Sequence, residues 1–395
     1  MTLRRILLAA VCMMFAQLAL SLVRPMTSYR VLELGGSAAL VGWLAAAFAV
    51  APLVLALPAA RWAAGRTLGV LAVVGCAVLV AGCLLLAVST SVWQLAIGSI
   101  LLGAGNLGQL IAYQSVVAAE SDEADYDRNF GWYAAGASVG QLVGPVLGTS
   151  LFEWSGTGAR ASTAAILVGA SAAAAGLAVT VPVVRGIRMG HVPAAGRPRT
   201  RSLVVRTLVS PGAKASLYVS LVGMATMDLL TVYLPVLGDR AGLAPSVVGL
   251  LLAVRGSFSL LSRLVLGTLV ARYSRRSILL VTLTGASAAI VAVPLLTQPL
   301  AVAVLMALLG LAIGVGQPVS LAWSMSVVPE ENHSTAIALR LMGNRLGQLL
   351  VPAAAAVVVT VAGPETAFVL MGGMLATGVG AVGRAPRGCS DGSTG

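Results

Sequence analysis

Charge is what this sequence has least of. Only 10% of its 395 residues are Asp, Glu, Lys or Arg, against about 25% in soluble domains. So few charges cannot furnish a water-facing surface, which excludes a soluble globular chain. Acids are scarcer still, 13 against 25 basic residues, and Lys214 is the single lysine. The two histidines, His191 and His333, both fall in loops, which argues against histidine-based catalysis or a histidine proton relay. The four cysteines (Cys12, Cys76, Cys83 and Cys389) show no metal-ligand spacing and read as small hydrophobes rather than a disulfide framework. No Walker loop is present, and the acidic run Glu120–Asp127 lacks EF-hand spacing. No cofactor, metal or enzymatic activity is expected.

What fills the chain instead is apolar. Hydrophobic residues make up 58% of it and the mean hydropathy is +0.96. A helix needs roughly 20 apolar residues to cross a bilayer. Twelve such stretches can be marked: 6–28, 40–60, 67–89, 92–118, 129–152, 162–184, 214–238, 245–266, 277–296, 300–327, 334–361 and 366–383. The fold class expected is an all-α integral membrane protein with twelve transmembrane helices. The first stretch follows Arg4 and Arg5 like a signal peptide. It lacks a small-residue cleavage site, however, and continues to Arg24-Pro25 as a first spanning helix.

Basic residues set the orientation. With the amino terminus in the cytoplasm, nearly all of them fall on the inner side, and the outer side receives Arg24, Arg30, Arg160 and Arg240. That is the bias of the positive-inside rule. It places both termini in the cytoplasm and the protein in the cell's inner (plasma) membrane. The net charge of +12 then reports topology and contact with anionic lipid, with no nucleic-acid partner.

The two halves of the chain repeat. Gly136-x3-Gly140-Gln141-Leu142-x2-Pro145 recurs just over two hundred residues on as Gly343-x3-Gly347-Gln348-Leu349-x2-Pro352. Gly108-Gln109 recurs as Gly316-Gln317, and Val41-Gly42 as Val248-Gly249. In-order landmarks at one offset predict two parallel six-helix repeats. The domains expected are an amino-terminal bundle over 1–184, a basic cytoplasmic linker over 185–213, a carboxy-terminal bundle over 214–383 and a cytoplasmic tail over 384–395. Pro, Gly and Arg without helical periodicity mark the linker as a strap along the inner surface.

The fifth stretch carries the densest pattern: Gly131, Gly140, Gly144, Pro145 and Gly148, as G-x8-G-x3-G-P-x2-G. Inside a membrane, glycines four apart let two backbones approach closely, and proline removes a backbone donor. The spacing resembles the antiporter motif of the fifth helix in exporters of the major facilitator superfamily, most of all the twelve-helix drug:proton antiporter branch. The resemblance implies the fold of that family, alternating access by rocking of two bundles, and a glycine–proline helix at the interface between halves that limits leak. The family's gate loop, G-x-L-x-D-R-x-G-R-R, is eroded in the first half. Gly65 and Arg66 remain, but Pro58 and Trp62 replace the first glycine and the acid. The second half keeps Gly267, Leu269, Arg272, Arg275 and Arg276, with Ala271 for the acid and Ser274 for the second glycine. These arginines read equally well as topology determinants. Where proton-driven members carry an arginine in R-x3-G-x-G, this chain has Ser99 before Gly103 and Gly105.

Charges placed within spans point to function, because each costs at least about 2.5–3.5 kcal/mol to insert. Asp228, Arg255 and Arg345 lie midway along the seventh, eighth and eleventh stretches. Arg340 lies nearer the inner surface, to which it is expected to snorkel. Arg24 lies near the outer end of the first stretch, with Glu33 or a lipid headgroup expected to neutralise it. Asp228 has two readings. It is a proton-exchanging acid facing Arg255 or Arg345 across a cavity, or a strut in a permanent salt bridge with one of them. A carboxyl balanced between desolvation, which favours its neutral form, and a cation, which favours its charged form, is able to exchange protons. Two arginines against one acid favour a neutral, zwitterionic or anionic cargo over a lipophilic cation. Gln17, Asn106, Gln109, Tyr113 and Gln348 are candidate cavity residues, with Gln114, Gln141, Gln317, Trp323 and Asn344 beside them. Buried amides must bridge helices or meet a wet cavity.

The function expected is secondary active, proton-coupled efflux of a small organic molecule by a monomer. The partners are then the cargo, protons and membrane lipid. A facilitator or importer of the same fold, or a non-transporting sensor or scaffold, are the alternatives.

Overall fold

The computed structural model describes residues 2–63, 68–121, 126–156, 159–185, 208–210, 212–328 and 333–385. Among these are twelve α-helices: α1 (Thr2–Glu33), α2 (Ala38–Ala63), α3 (Leu68–Ala87), α4 (Val92–Ala119), α5 (Tyr126–Trp154), α6 (Ala159–Arg185), α7 (Ala213–Arg240), α8 (Pro245–Arg272), α9 (Arg275–Ala292), α10 (Pro299–Val327), α11 (His333–Ala362) and α12 (Glu365–Arg384). Nearly all of the linker, the tail beyond residue 385, and the gate-loop residues Gly65 and Arg66 lie outside the described residues.

A lipid interior offers no partner for free backbone groups, so apolar runs close their hydrogen bonds internally as helices. Eleven of the twelve are long and apolar enough to span a membrane. The exception is α5, where glycines, Gln141 and Pro145 take the place of apolar bulk. Proline does not end these helices: α1 runs through Pro25 to Glu33, five residues past its expected end. The ends are marked chemically. Ser91 accepts from the Gln94 amide while Gln94 Oε1 accepts from the Ser91 amide, a capping box that starts α4. Gly242, at φ 68°, turns the chain out of α7 in a left-handed conformation open to glycine.

The chain divides into two compact units. Unit 1 comprises Met1–Arg197 with Ala244–Ala253, and unit 2 comprises Pro198–Leu243 with Val254–Gly395. In unit 1 the most extensive packing is α1 on α5, followed by α3 on α4 and α1 on α6. Its contacts are made through glycine. A Cβ on Gly140 would meet the Met14 carbonyl and stand 2.6 Å from the Leu18 nitrogen. One on Gly144 would stand 2.8 Å from Ser21 Cβ and 2.9 Å from the Leu18 carbonyl. Gly105 approaches α3 at Leu79 and Gly75 in the same way. In lipid the stability of such seams comes from close packing rather than from exclusion of water.

Two ion pairs close unit 1. Arg5 on α1 meets Glu120 just past α4 at 2.6 Å. At the other end of α1, Arg30 is buried, donates to the Ser89 carbonyl at 2.6 Å and pairs with Glu33 at 3.3 Å. Glu33 in turn accepts from the amide and the hydroxyl of Ser162 in the first turn of α6. Glu33 is thus committed to Arg30. Arg24, expected beside it, instead lies over the Phe48 ring, 4.6 Å from its centroid.

In unit 2, α7 packs on α11, α10 and α12, and α9 lies against α10 and α12. Gly310 and Gly314 bring α10 onto α8: their Cβ positions would meet the Arg255 carbonyl and the Ser262 hydroxyl, respectively.

Candidate functional site

The polar residues of unit 2 gather where α11 lies along α7. On α11, Arg340, Asn344 and Gln348 stand four apart and therefore share one face. Opposite them α7 supplies Ser220, about 10 Å in from its start by helical rise, and Asp228 at its middle. Gln348 Nε2 donates to Asp228 Oδ2 at 2.6 Å, and Gln348 Oε1 accepts from Arg345 Nη1 at 2.9 Å. Asp228, for which the sequence offered either Arg255 or Arg345 as charge partner, is thus joined to Arg345 through an amide. Asp228, Arg255 and Arg345 are all half-buried.

About two turns away along α7, Arg340 adopts an orientation the sequence did not suggest. Rather than snorkelling, its guanidinium turns inward. Nε donates to Ser220 Oγ at 2.8 Å. Nη2 donates to the Gln317 carbonyl at 2.8 Å, to Gln317 Oε1 at 3.0 Å and to Ser320 Oγ at 3.3 Å. Gln317 is itself fixed, donating to the Ser220 carbonyl at 3.1 Å and pressed against Gly223, where a Cβ would stand 2.5 Å from its Nε2. Ser220 Oγ completes the cluster by donating to Asn344 Oδ1 at 2.9 Å. The depth of Ser220, Gln317 and Ser320 within their helices holds this guanidinium away from the surface.

Unit 1 distributes its candidates differently. Gln141 on α5 donates to Gln17 on α1 at 3.0 Å, and Gln17 donates to Asn106 on α4 at 3.3 Å, a neutral amide chain across three helices. Gln109 and Tyr113, expected on a cavity, are buried in the unit's core. Gln109 reaches the Gly75 carbonyl of α3 at 3.4 Å. The Tyr113 hydroxyl lies 2.6 Å from Thr180 Oγ1 and 3.1 Å from Cys76 Sγ. The burial has a simple cause: the glycines flanking them on α4 draw α3 too close to leave room for solvent. Cys12, Cys76 and Cys83 are free and buried. No group of three His, Cys, Asp or Glu able to hold a metal occurs among the described residues. Ser99 is buried and its hydroxyl bonds back to the Leu95 carbonyl at 2.9 Å.

The glycines of α5 pack within unit 1. Gly136, Gly140, Gly144 and Gly148 face α1 of their own unit, while nothing lies within 4 Å of a Cβ on Gly131. Pro145 presents its carbonyl, and Thr149 its hydroxyl, to Gly249 in the part of α8 that belongs to unit 1. At the same helix end, Glu153 accepts from the Ser246 amide at 3.1 Å. Of the second gate loop, Arg276 donates to the Ala385 carbonyl at 2.9 Å and to Gly383, which caps the carboxyl end of α12. Ser274, standing at the second glycine of the pattern, caps the start of α9 by accepting from the Ser277 amide at 3.2 Å. Arg272 is exposed, Arg275 is half-buried, and Gly267 has nothing within 4 Å of a Cβ.

Twelve helices among the described residues, eleven of them spanning by length and composition, with glycine-packed seams and partnered charges inside the spans, define a multi-pass integral membrane protein. The Major Facilitator Superfamily model matches residues 9–298 and again 217–387. The chain belongs to that superfamily, whose members transport solutes rather than act as enzymes. No curated protein matches it in sequence. Among solved structures, a variant of the nucleoside transporter NupG is similar with a TM-score of 0.78 at 13% identity, over 95% of this chain and 98% of that one. A peptide transporter POT variant gives 0.76 at 14%, over 98% and 95%. A bacterial homolog of the human lysosomal transporter Spinster, inward-facing and occupied, gives 0.74 at 14%, over 98% of both chains. Identities this low speak to the fold alone.

Proposed function

We propose that the protein is an exporter of a small organic molecule, driven by exchange of a proton at Asp228. The observation that carries this reading is how Asp228 is held. It sits at mid-span on α7, half-buried, accepting from Gln348, whose other end accepts from Arg345. The Gln348 amide between Asp228 and Arg345 keeps the guanidinium near without direct contact, so Arg345 favours the charged form of the carboxyl without locking it. Arg255 is the further charge partner in this scheme. Alternating exposure of Asp228 would then couple proton entry to cargo exit. The antiporter-type spacing Gly140-x3-Gly144-Pro145 supports the export direction.

A second reading is favoured by one observation. Ser99 bonds to its own helix at the position where proton-driven members carry an arginine, which fits a facilitator or importer without proton coupling. Purified protein in liposomes with an imposed pH gradient separates the two. Export with coupling predicts compound-dependent proton flux that Asp228→Asn abolishes at normal protein level. Compound flux without proton movement, unchanged by that substitution, would establish the facilitator.

A further inference from the structure

We infer that Arg340 is an oxyanion-recognition residue that takes a carboxylate, sulfonate or phosphate group of the cargo onto its open Nη1 edge. Its role toward cargo rests on the transport reading above; the anion site itself does not.

Three features carry the inference. First, every acceptor on Arg340 is neutral: two serine hydroxyls, one backbone carbonyl and one side-chain amide. No carboxylate pairs with it among the described residues, and the acid of the same seam, Asp228, is engaged by Gln348 about 12 Å further along α7. Second, Nε and Nη2 are fixed while Nη1 makes no hydrogen bond among the described residues and is not sealed from solvent. A planar fork held by two of its nitrogens presents the third at a fixed angle, the arrangement that favours oxyanions over a mobile ammonium. Third, the holding groups are themselves fixed, since Gln317 is anchored by the Ser220 carbonyl and by Gly223. A residue that only pinned α7, α10 and α11 together could be a neutral amide and avoid the cost of an intramembrane charge. A positive charge kept there without a counter-charge is explained by an anion that arrives from outside the chain.

The test uses matched probes on the purified full-length protein, at one pH and without a gradient: indole-3-acetate against indole-3-acetamide, benzoate against benzamide, and glucose 6-phosphate against glucose. The wild type is expected to bind at least one anion about tenfold more tightly than its neutral twin, roughly the discrimination that one charge-assisted hydrogen bond supplies. Arg340→Gln should erase the preference, and Arg340→Lys should keep part of it. Gln317→Glu is the decisive variant, because it sets a carboxylate where Oε1 now lies 3.0 Å from Nη2. It should erase the preference while preserving or raising thermal stability, so the test survives a misfolded Arg340→Gln. Equal binding within every pair, or a preference that outlasts Gln317→Glu, overturns the inference. Proton flux dependent on Asp228 in a protein with no anion preference would leave the coupling reading standing and sink this one. An anion preference without coupled flux would do the reverse.

Discussion

At the α1–α5 seam of unit 1, Gly140 and Gly144 lie against backbone atoms of Met14, Leu18 and Leu22, and the polar groups nearby are neutral amides. At the repeat-related α7–α11 seam of unit 2, Gly347 meets the Leu221 side chain, a Cβ on Gly343 would meet nothing within 4 Å, and the seam holds Asp228, Arg340 and Arg345. The same glycine spacing thus supports a tight neutral seam in one unit and a wider charged one in the other. The lesson is that helices pressed backbone to backbone leave no volume for a hydrated or charged side chain. Only the seam that gave up this closeness had room for chemistry.

The largest expected effect breaks the tight seam. Gly140→Ala should cost about 3 kcal/mol or more, because its Cβ meets backbone that cannot move aside. Gly347→Ala should cost about 1–2 kcal/mol, because the nearest obstacle is the Leu221 side chain, which can change rotamer, rather than backbone. Yield of monodisperse protein and its thermal midpoint measure both, and equal losses would erase the contrast.

Next in size are the repeat-related glutamines. Gln348→Leu removes hydrogen bonds to two charged groups and should cost about 2–3 kcal/mol, whereas Gln141→Leu removes one neutral bond and should cost about 1 kcal/mol. The two substitutions compared in one detergent would show whether charge in fact separates the seams.

Phe48→Leu, which withdraws the ring beneath Arg24, should cost about 1 kcal/mol in thermal stability. A larger loss than Gln141→Leu would mean that unit 1 depends on charge more than its seam suggests.

The smallest effect is a pH dependence at the end of α5. Hydrogen bonds from the Ser246 side chain and amide hold the exposed Glu153 carboxyl below its ordinary value of 4.5. A folded value below the unfolded one stabilises fully above that ordinary value, and the contribution is lost as pH falls through the lower folded value. The midpoint difference between wild type and Glu153→Gln should therefore be constant at neutral pH and shrink in acid. A difference independent of pH would show that this hydrogen bond contributes nothing.

Much of the fold was legible in the sequence because bilayer thickness fixes the length of an apolar run and lipid forbids unpaired backbone. The twelve marked stretches each correspond to one helix, off mainly at the ends, as where α1 continues through Pro25. The site was legible in part. Asp228, Arg345 and Gln348 stood out because polar residues in spans are costly, and they do meet. The inward turn of Arg340 is not legible from its distance to the helix end, because long side chains follow hydrogen-bond acceptors on neighbouring helices. That Gln109 and Tyr113 lie in the core rather than on a cavity was not legible, because a sequence does not show which face of α4 meets α3.

The sequence by itself determined membrane residence, helix number, the repeat and the scarcity of acids, since each follows from composition or spacing along one chain. The tertiary structure alone decided that the motif glycines face α1, that Glu33 serves Arg30 rather than Arg24, and that an amide stands between Asp228 and Arg345. Those outcomes depend on which helix faces come together, and that is set by packing among residues far apart in the chain.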